Sequence, residues 1–260
     1  MLILSCCPRR SDVTTFLNMS NRSLLPWLLA TACFQSVEIF AVPVEFDRLA
    51  FHRGPKPLAK DAETSDWPRF NGPFDNAVSP EKPLLKSWPA GGPVLLWEAT
   101  KGEGYASPAI LGERLIIFHR LDGKETAECL HPESGKLYWK HAYPVDYRDR
   151  YGYSNGPRAS PVIDGGYVYL HGVTAWLTCL ELETGKLIWK RDLAHDFSIP
   201  QYFFGKGSNP IVANDKLIIN VGGSNERCVA AFDKKTGKKC RRVTFRSSEY
   251  CYVHQSQGSQ

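Results

Sequence analysis

Three times along this chain, at spacings near fifty residues, the same pattern of prolines and glycines returns. One copy places Pro108 before an apolar run and later carries Gly135-Lys136 and Trp139. The next places Pro161, Gly185 and Trp189 in the same roles, and a third places Pro210 and Gly237. The marker prolines stand 53 and 49 residues apart, the marker glycines 50 and 52. Repetition at this period makes each unit a small module that cannot bury its apolar surface alone, so successive modules must stack.

Each copy has the same local physics. A proline has no N–H to give a ladder and is tolerated at the start of a strand. Turns at Leu111-Gly112-Glu113, Asp164-Gly165-Gly166 and Ala213-Asn214-Asp215 supply residues that accept positive φ between apolar segments, which predicts hairpins. A third strand is expected at Glu128–Leu130, Thr178–Leu182 and Val229–Phe232, and a Gly-Lys turn leads into a fourth. The expected fold is all-β: a partial β-propeller of four-stranded antiparallel blades at about 98–140, 158–190 and 207–239, with an N-terminal closing strand and a signal-like helical leader. The 21 glycines, 18 prolines and 12% aromatic content agree with many turns and strands.

The Ser-Pro start, the apolar hairpin and a strand reading Leu-Glu-x-x-Thr-Gly-Lys-x-x-Trp at 180–189 resemble the PQQ-like repeat of BamB-like proteins and quinoprotein dehydrogenases. The resemblance runs from Trp67 to Lys239, within a repeat region of 66–239. It implies that the opening Asp66-Trp67-Pro68-Arg69-Phe70-Asn71-Gly72-Pro73 helps close the ring in the last blade, and that Leu96-Trp97-Glu98 is that blade's terminal tryptophan strand. Two departures stand out. The family's rings have seven or eight blades, against three units here, and Arg241 stands where the third unit should carry tryptophan. Residues 240–260 therefore read as an aberrant or truncated tail.

Residues 1–44 read as a leader with a start near Met19, because Arg22 precedes an apolar run from Leu24 to Cys33. Gln35, Ser36 and Glu38 interrupt that run too early for a membrane span. The expectation is export to the periplasm or cell envelope of a bacterium, with membrane association only through the signal or a lipid anchor at Cys33. Residues 45–65 read as a linker. Of eight cysteines, Cys129, Cys179 and Cys228 lie in the repeats, none in a C-x-x-C pair, so no structural zinc site is expected. The net charge of +5 collects in leader and tail arginines, which argues against nucleic-acid binding.

Quinone-dependent alcohol oxidation needs a carboxylate base, oxygen ligands for Ca²⁺ and cations facing the cofactor. Dehydrogenases of the resembled family also use an adjacent cysteine pair; the pair here, Cys6-Cys7, lies in the leader, and no catalytic residue or metal ligand is expected. The most suggestive residues are in the long connections between units: Tyr147, Arg148, Tyr151, Tyr153 and Arg158 in the first, and His195, Tyr202 and Phe203 in the second. Side chains of these types combine large contact area with polar tips, which suits recognition; the alternative is that they pack locally over the blade tops. The expected function is a non-catalytic scaffold that holds a protein or peptide partner and needs no cofactor. The alternatives are a PQQ- and Ca²⁺-dependent dehydrogenase-like fragment and a non-functional truncated gene product.

Overall fold

A computed structural model describes residues 42–200, 203–222 and 228–240. The chain divides into units Met1–Glu38 and Ile39–Gln260. The helical leader and the tail beyond Cys240 lie outside the described residues, as do Cys6, Cys7, Cys33 and Tyr202.

Among the described residues the second unit is built from antiparallel strands with one short helix. Strand β1 (Leu49–Phe51) pairs with β2 (Trp97–Ala99). The first four-stranded blade follows as β3 (Ala109–Leu111), β4 (Arg114–Leu121), β5 (Lys124–Leu130) and β6 (Leu137–Pro144), paired in chain order. The second is β7 (Val162–Asp164), β8 (Tyr167–His171), β9 (Trp176–Glu181) and β10 (Leu187–Asp192). Helix α1 (Leu193–Phe197) leads to the third blade, β11 (Ile211–Ala213), β12 (Lys216–Asn220) and β13 (Val229–Asp233). A bridge from Phe232 to Lys239 and a 2.8 Å bond from Cys240 N–H to Ala231 O pair the segment after the Gly237 turn with β13. The fold is thus a partial β-propeller with three blades and an N-terminal two-stranded sheet.

The first hairpin of each blade turns through two residues, the first at positive φ: Gly112, Gly165 and Asn214. That conformation matches the strand twist and is cheap for these residues. Between blades the sheets bury both faces. Ile116, Phe118, Cys129 and Trp139 of the first meet Ile163, Val168, Leu170 and Leu180 of the second. Tyr169, Leu177, Cys179 and Trp189 of the second meet Leu217, Ile219 and Phe232 of the third. Cys129 and Cys179 are small buried fillers, their thiols pushed up to about 12 by burial.

One contact repeats at every junction. The indole N–H of Trp97 donates to Pro132 O at 2.8 Å, that of Trp139 to Leu182 O at 2.8 Å and that of Trp189 to Lys234 O at 3.1 Å. Each acceptor stands three residues before a turn glycine, Gly135, Gly185 or Gly237. A methyl at these glycines would lie 2.6, 2.5 and 2.6 Å from the same indoles. Glycine is required twice over, for positive φ (71°, 70° and 67°) and for the ring that lies against it.

Four expectations need correction. The linker 45–65 contains β1, because its Leu49-Ala50-Phe51 supplies the strand that β2 lacks. The opening segment does not sit in a terminal sheet: Trp67 exchanges backbone bonds of 3.0 and 2.9 Å with Ile110, and Pro68 O accepts from Ile163 N–H at 2.8 Å. It crosses the free edges of β3 and β7, using backbone groups that the hairpins leave unpaired. Asp66 Oδ1 fixes its start by accepting from Gly112 N–H at 2.7 Å. The third strand of the first blade begins at Lys124, well before Glu128, because Asp122 and Gly123 both take positive φ and make a tight hairpin. In the second blade that strand opens at Trp176 and ends at Glu181, one residue before Leu182, whose carbonyl serves the Trp139 indole.

Candidate functional site

Chain direction places the turns β4–β5 and β8–β9 and both long connections at the same end of the blades. The turns carrying Gly112, Gly135, Gly165 and Gly185 lie at the other end. The first connection alternates as it leaves β6: Val145, Tyr147 and Asp149 are buried, whereas Asp146, Arg148 and Arg150 are exposed. Its support is polar. Arg120 donates to Tyr147 O at 2.6 Å, to Asn155 O at 3.1 Å and to Val145 O at 3.2 Å.

Asp149 is the pivot. Its Oδ1 accepts from the backbone N–H groups of Tyr151 at 2.9 Å and Tyr153 at 3.3 Å, and its Oδ2 pairs with Arg158 at 2.9 Å. Burial alone would raise this carboxyl, but those N–H groups and the Arg158 charge outweigh it and hold the acid below its ordinary range. Tyr147 O–H donates to Phe203 O at 2.7 Å and so ties the first connection to the second. The second is held from beneath as well. Ser160 N–H donates to Asn209 Oδ1 at 2.7 Å, and Lys206 N–H to Val173 O at 2.9 Å. His171 Nδ1 stands 2.9 Å from Ser208 O and must carry the proton, since a carbonyl only accepts. Burial pulls this histidine down to about 4, so it is neutral at pH 7.

On this support four aromatic side chains come together at the surface. Tyr151, Tyr153, Phe203 and Phe204 are 63%, 67%, 51% and 54% exposed, and their ring centroids lie 5.8 to 6.5 Å apart in a chain of contacts. The Arg150 guanidinium sits 4.8 Å from the Phe203 centroid. A cleft of about 690 Å³ beside the rings is lined by Arg148, Asp149, Arg150, Tyr151, Gly152 and Asn155. Arg148 also borders a second cleft, of about 390 Å³, with Glu103, Asp122 and Asp146.

The structure sorts the sequence-derived site residues into three groups. Tyr151, Tyr153, Phe203 and Arg148 stand on this surface. Tyr147 and Arg158, expected on it, lie beneath and position it. His195 is exposed on α1, where its N–H is capped by Asp192, and it joins no ring cluster among the described residues. Sequence reasoning passed over Phe204 and Arg150 as site residues, although the Tyr202-Phe203-Phe204-Gly205 run was the signal for the first. Among the described residues no three His, Cys, Asp or Glu side chains converge as metal ligands.

A family model described as outer membrane protein assembly factor BamB matches residues 123–257. Among solved structures, BamB from Moraxella catarrhalis is 21% identical, with 55% of this chain covering 37% of that one at a TM-score of 0.37. A europium-containing methanol dehydrogenase is 18% identical, with 54% covering 24% at 0.39. Quinohemoprotein alcohol dehydrogenase from Comamonas testosteroni is 20% identical, with 54% covering 20% at 0.39. The chain thus spans well under half of each. No curated protein matches it.

Proposed function

Because the chain belongs to the outer membrane protein assembly factor BamB family of PQQ-like repeats, we propose that it is a non-catalytic scaffold of the bacterial cell envelope. It is exported there and holds a protein or peptide partner on the end that carries the long connections. The observation that carries this reading is the cluster of Tyr151, Tyr153, Phe203 and Phe204, four exposed rings on a hydrogen-bonded polar support. Isolated exposed apolar residues are ordinary, but a contiguous aromatic patch on a fixed loop is a recognition surface. Among the described residues no helix is long and apolar enough to cross a membrane.

The competing function is quinone-dependent alcohol oxidation. Incubation of the full chain with PQQ and Ca²⁺, followed by dye reduction with methanol or ethanol, separates the two. The expected result is a rate equal to that of the cofactor without protein. Alcohol-dependent turnover that saturates with substrate would reject the scaffold reading.

A further inference from the structure

Charge around the four rings narrows the kind of partner. Arg148 and Arg150 are both exposed, and neither has a carboxylate partner among the described residues. Asp149, which lines the same cleft, is paired with Arg158, and Glu103, Asp122 and Asp146 share the second cleft with Arg148 without an ion pair to it. The cleft beside Tyr151 therefore presents two guanidinium groups next to apolar surface, with the Asn155 side chain in the same wall. A guanidinium binds a carboxylate through parallel N–H donors, and an adjoining aromatic platform excludes water and strengthens that pairing.

We propose that this cleft binds an extended acidic peptide, its carboxylates on Arg148 and Arg150 and a neighbouring leucine or proline on Tyr151, Phe203 and Phe204. The proposal rests on the scaffold reading and names the chemistry of its partner. Two features favour a peptide over an anionic sugar. Phenylalanines supply half of the rings and offer no hydroxyl to a saccharide, and the rings contact one another as an apolar cluster rather than as one flat platform. The exposed arginines alternate with the buried Tyr147 and Asp149, which keeps both guanidinium groups on the solvent side.

The test is fluorescence anisotropy of the full chain with a labelled ten-residue peptide of alternating glutamate and leucine with a central proline. The comparison probes are the same peptide with lysine for glutamate and a labelled hyaluronan oligosaccharide. The acidic peptide is expected to bind and the lysine peptide and saccharide to bind at least tenfold more weakly. Arg148→Glu with Arg150→Glu should lose at least tenfold in affinity for the acidic peptide, as should Tyr151→Ser with Phe204→Ser, with melting temperature unchanged in both because these side chains are exposed. Equal binding of the lysine peptide, tighter binding of the saccharide, or affinity indifferent to the arginine reversal would overturn the inference. Those outcomes leave the scaffold reading standing if the alcohol assay stays silent, whereas alcohol turnover strikes that reading itself.

Discussion

Trp139→Ala should destabilise the chain by about 3–5 kcal/mol, the usual cost of removing a large buried aromatic side chain. Trp139 is 8% exposed, fills the junction between the first and second blades and donates its N–H to Leu182 O. Trp139→Phe keeps part of the apolar contact but loses the donor and leaves the carbonyl unpaired, so a smaller loss of about 1–3 kcal/mol is expected. Gly185→Ala attacks the same contact from the other side: its methyl would stand 2.5 Å from the indole, on a backbone with φ near 70°. Urea midpoints of the three variants against the wild type check this. A Trp139→Ala loss below about 1 kcal/mol, against the cost expected for a packed core site, would mean that the indole is not the wedge between blades.

Glu125→Ala should be nearly as damaging, for a polar reason. Glu125 is buried in β5, facing the second blade, where Oε1 accepts from Val173 N–H at 2.8 Å and Oε2 from Tyr143 O–H at 2.7 Å. Alanine would strand both donors, and at about 1–3 kcal/mol for each unpaired buried group the total is about 2–6 kcal/mol. Glu125→Gln keeps an acceptor for Val173 and should cost much less. Gly172→Ala should resemble Glu125→Ala, because its methyl would stand 2.2 Å from Oε2 and 2.6 Å from the Tyr143 oxygen. Burial raises the Glu125 carboxyl, more than the two hydrogen bonds and the charges of Arg120 and Lys190 lower it. The folded state therefore holds this proton more tightly than the unfolded state does. The resulting stabilisation is present in acid and is lost as pH rises through the folded pKa. Denaturant curves of wild type and Glu125→Gln should accordingly shift in favour of glutamine from acid to neutral pH. A constant difference across that range would contradict the assignment.

The repeat was legible because it is written in residues whose roles are local. Proline at a strand start, glycine at positive φ and tryptophan at a fixed distance from Gly-Lys each report backbone geometry without reference to distant contacts. The early part of β5 was not legible, because Glu125 and Glu128 interrupt the apolar pattern there, although both are buried. Glu125 is satisfied by the next blade, and Glu128 by Arg48 from the segment before β1, with His119 Nε2 nearby at 3.3 Å. A buried carboxylate with partners 48 and 80 residues away has no sequence signature.

The surface was legible in part for the same reason. Aromatic and arginine content singled out Tyr151, Tyr153, Phe203 and Arg148, which the structure places in loops and exposed to solvent. It could not separate them from Tyr147 and Arg158, which have the same chemistry but point inward. That division is set by the alternation of an extended segment against Arg120, and by the capture of Asp149 under the Tyr151 and Tyr153 backbone.

Site-specific photo-crosslinking in cells tests most directly whether one end of the blades is a partner-binding face. A photoreactive phenylalanine analogue at Tyr153 should trap one discrete protein adduct, lost when Arg148 and Arg150 are reversed to glutamate. The same analogue at exposed Glu113, in the turn at the opposite end, should trap none. Adducts from Glu113 with none from Tyr153 would contradict the account.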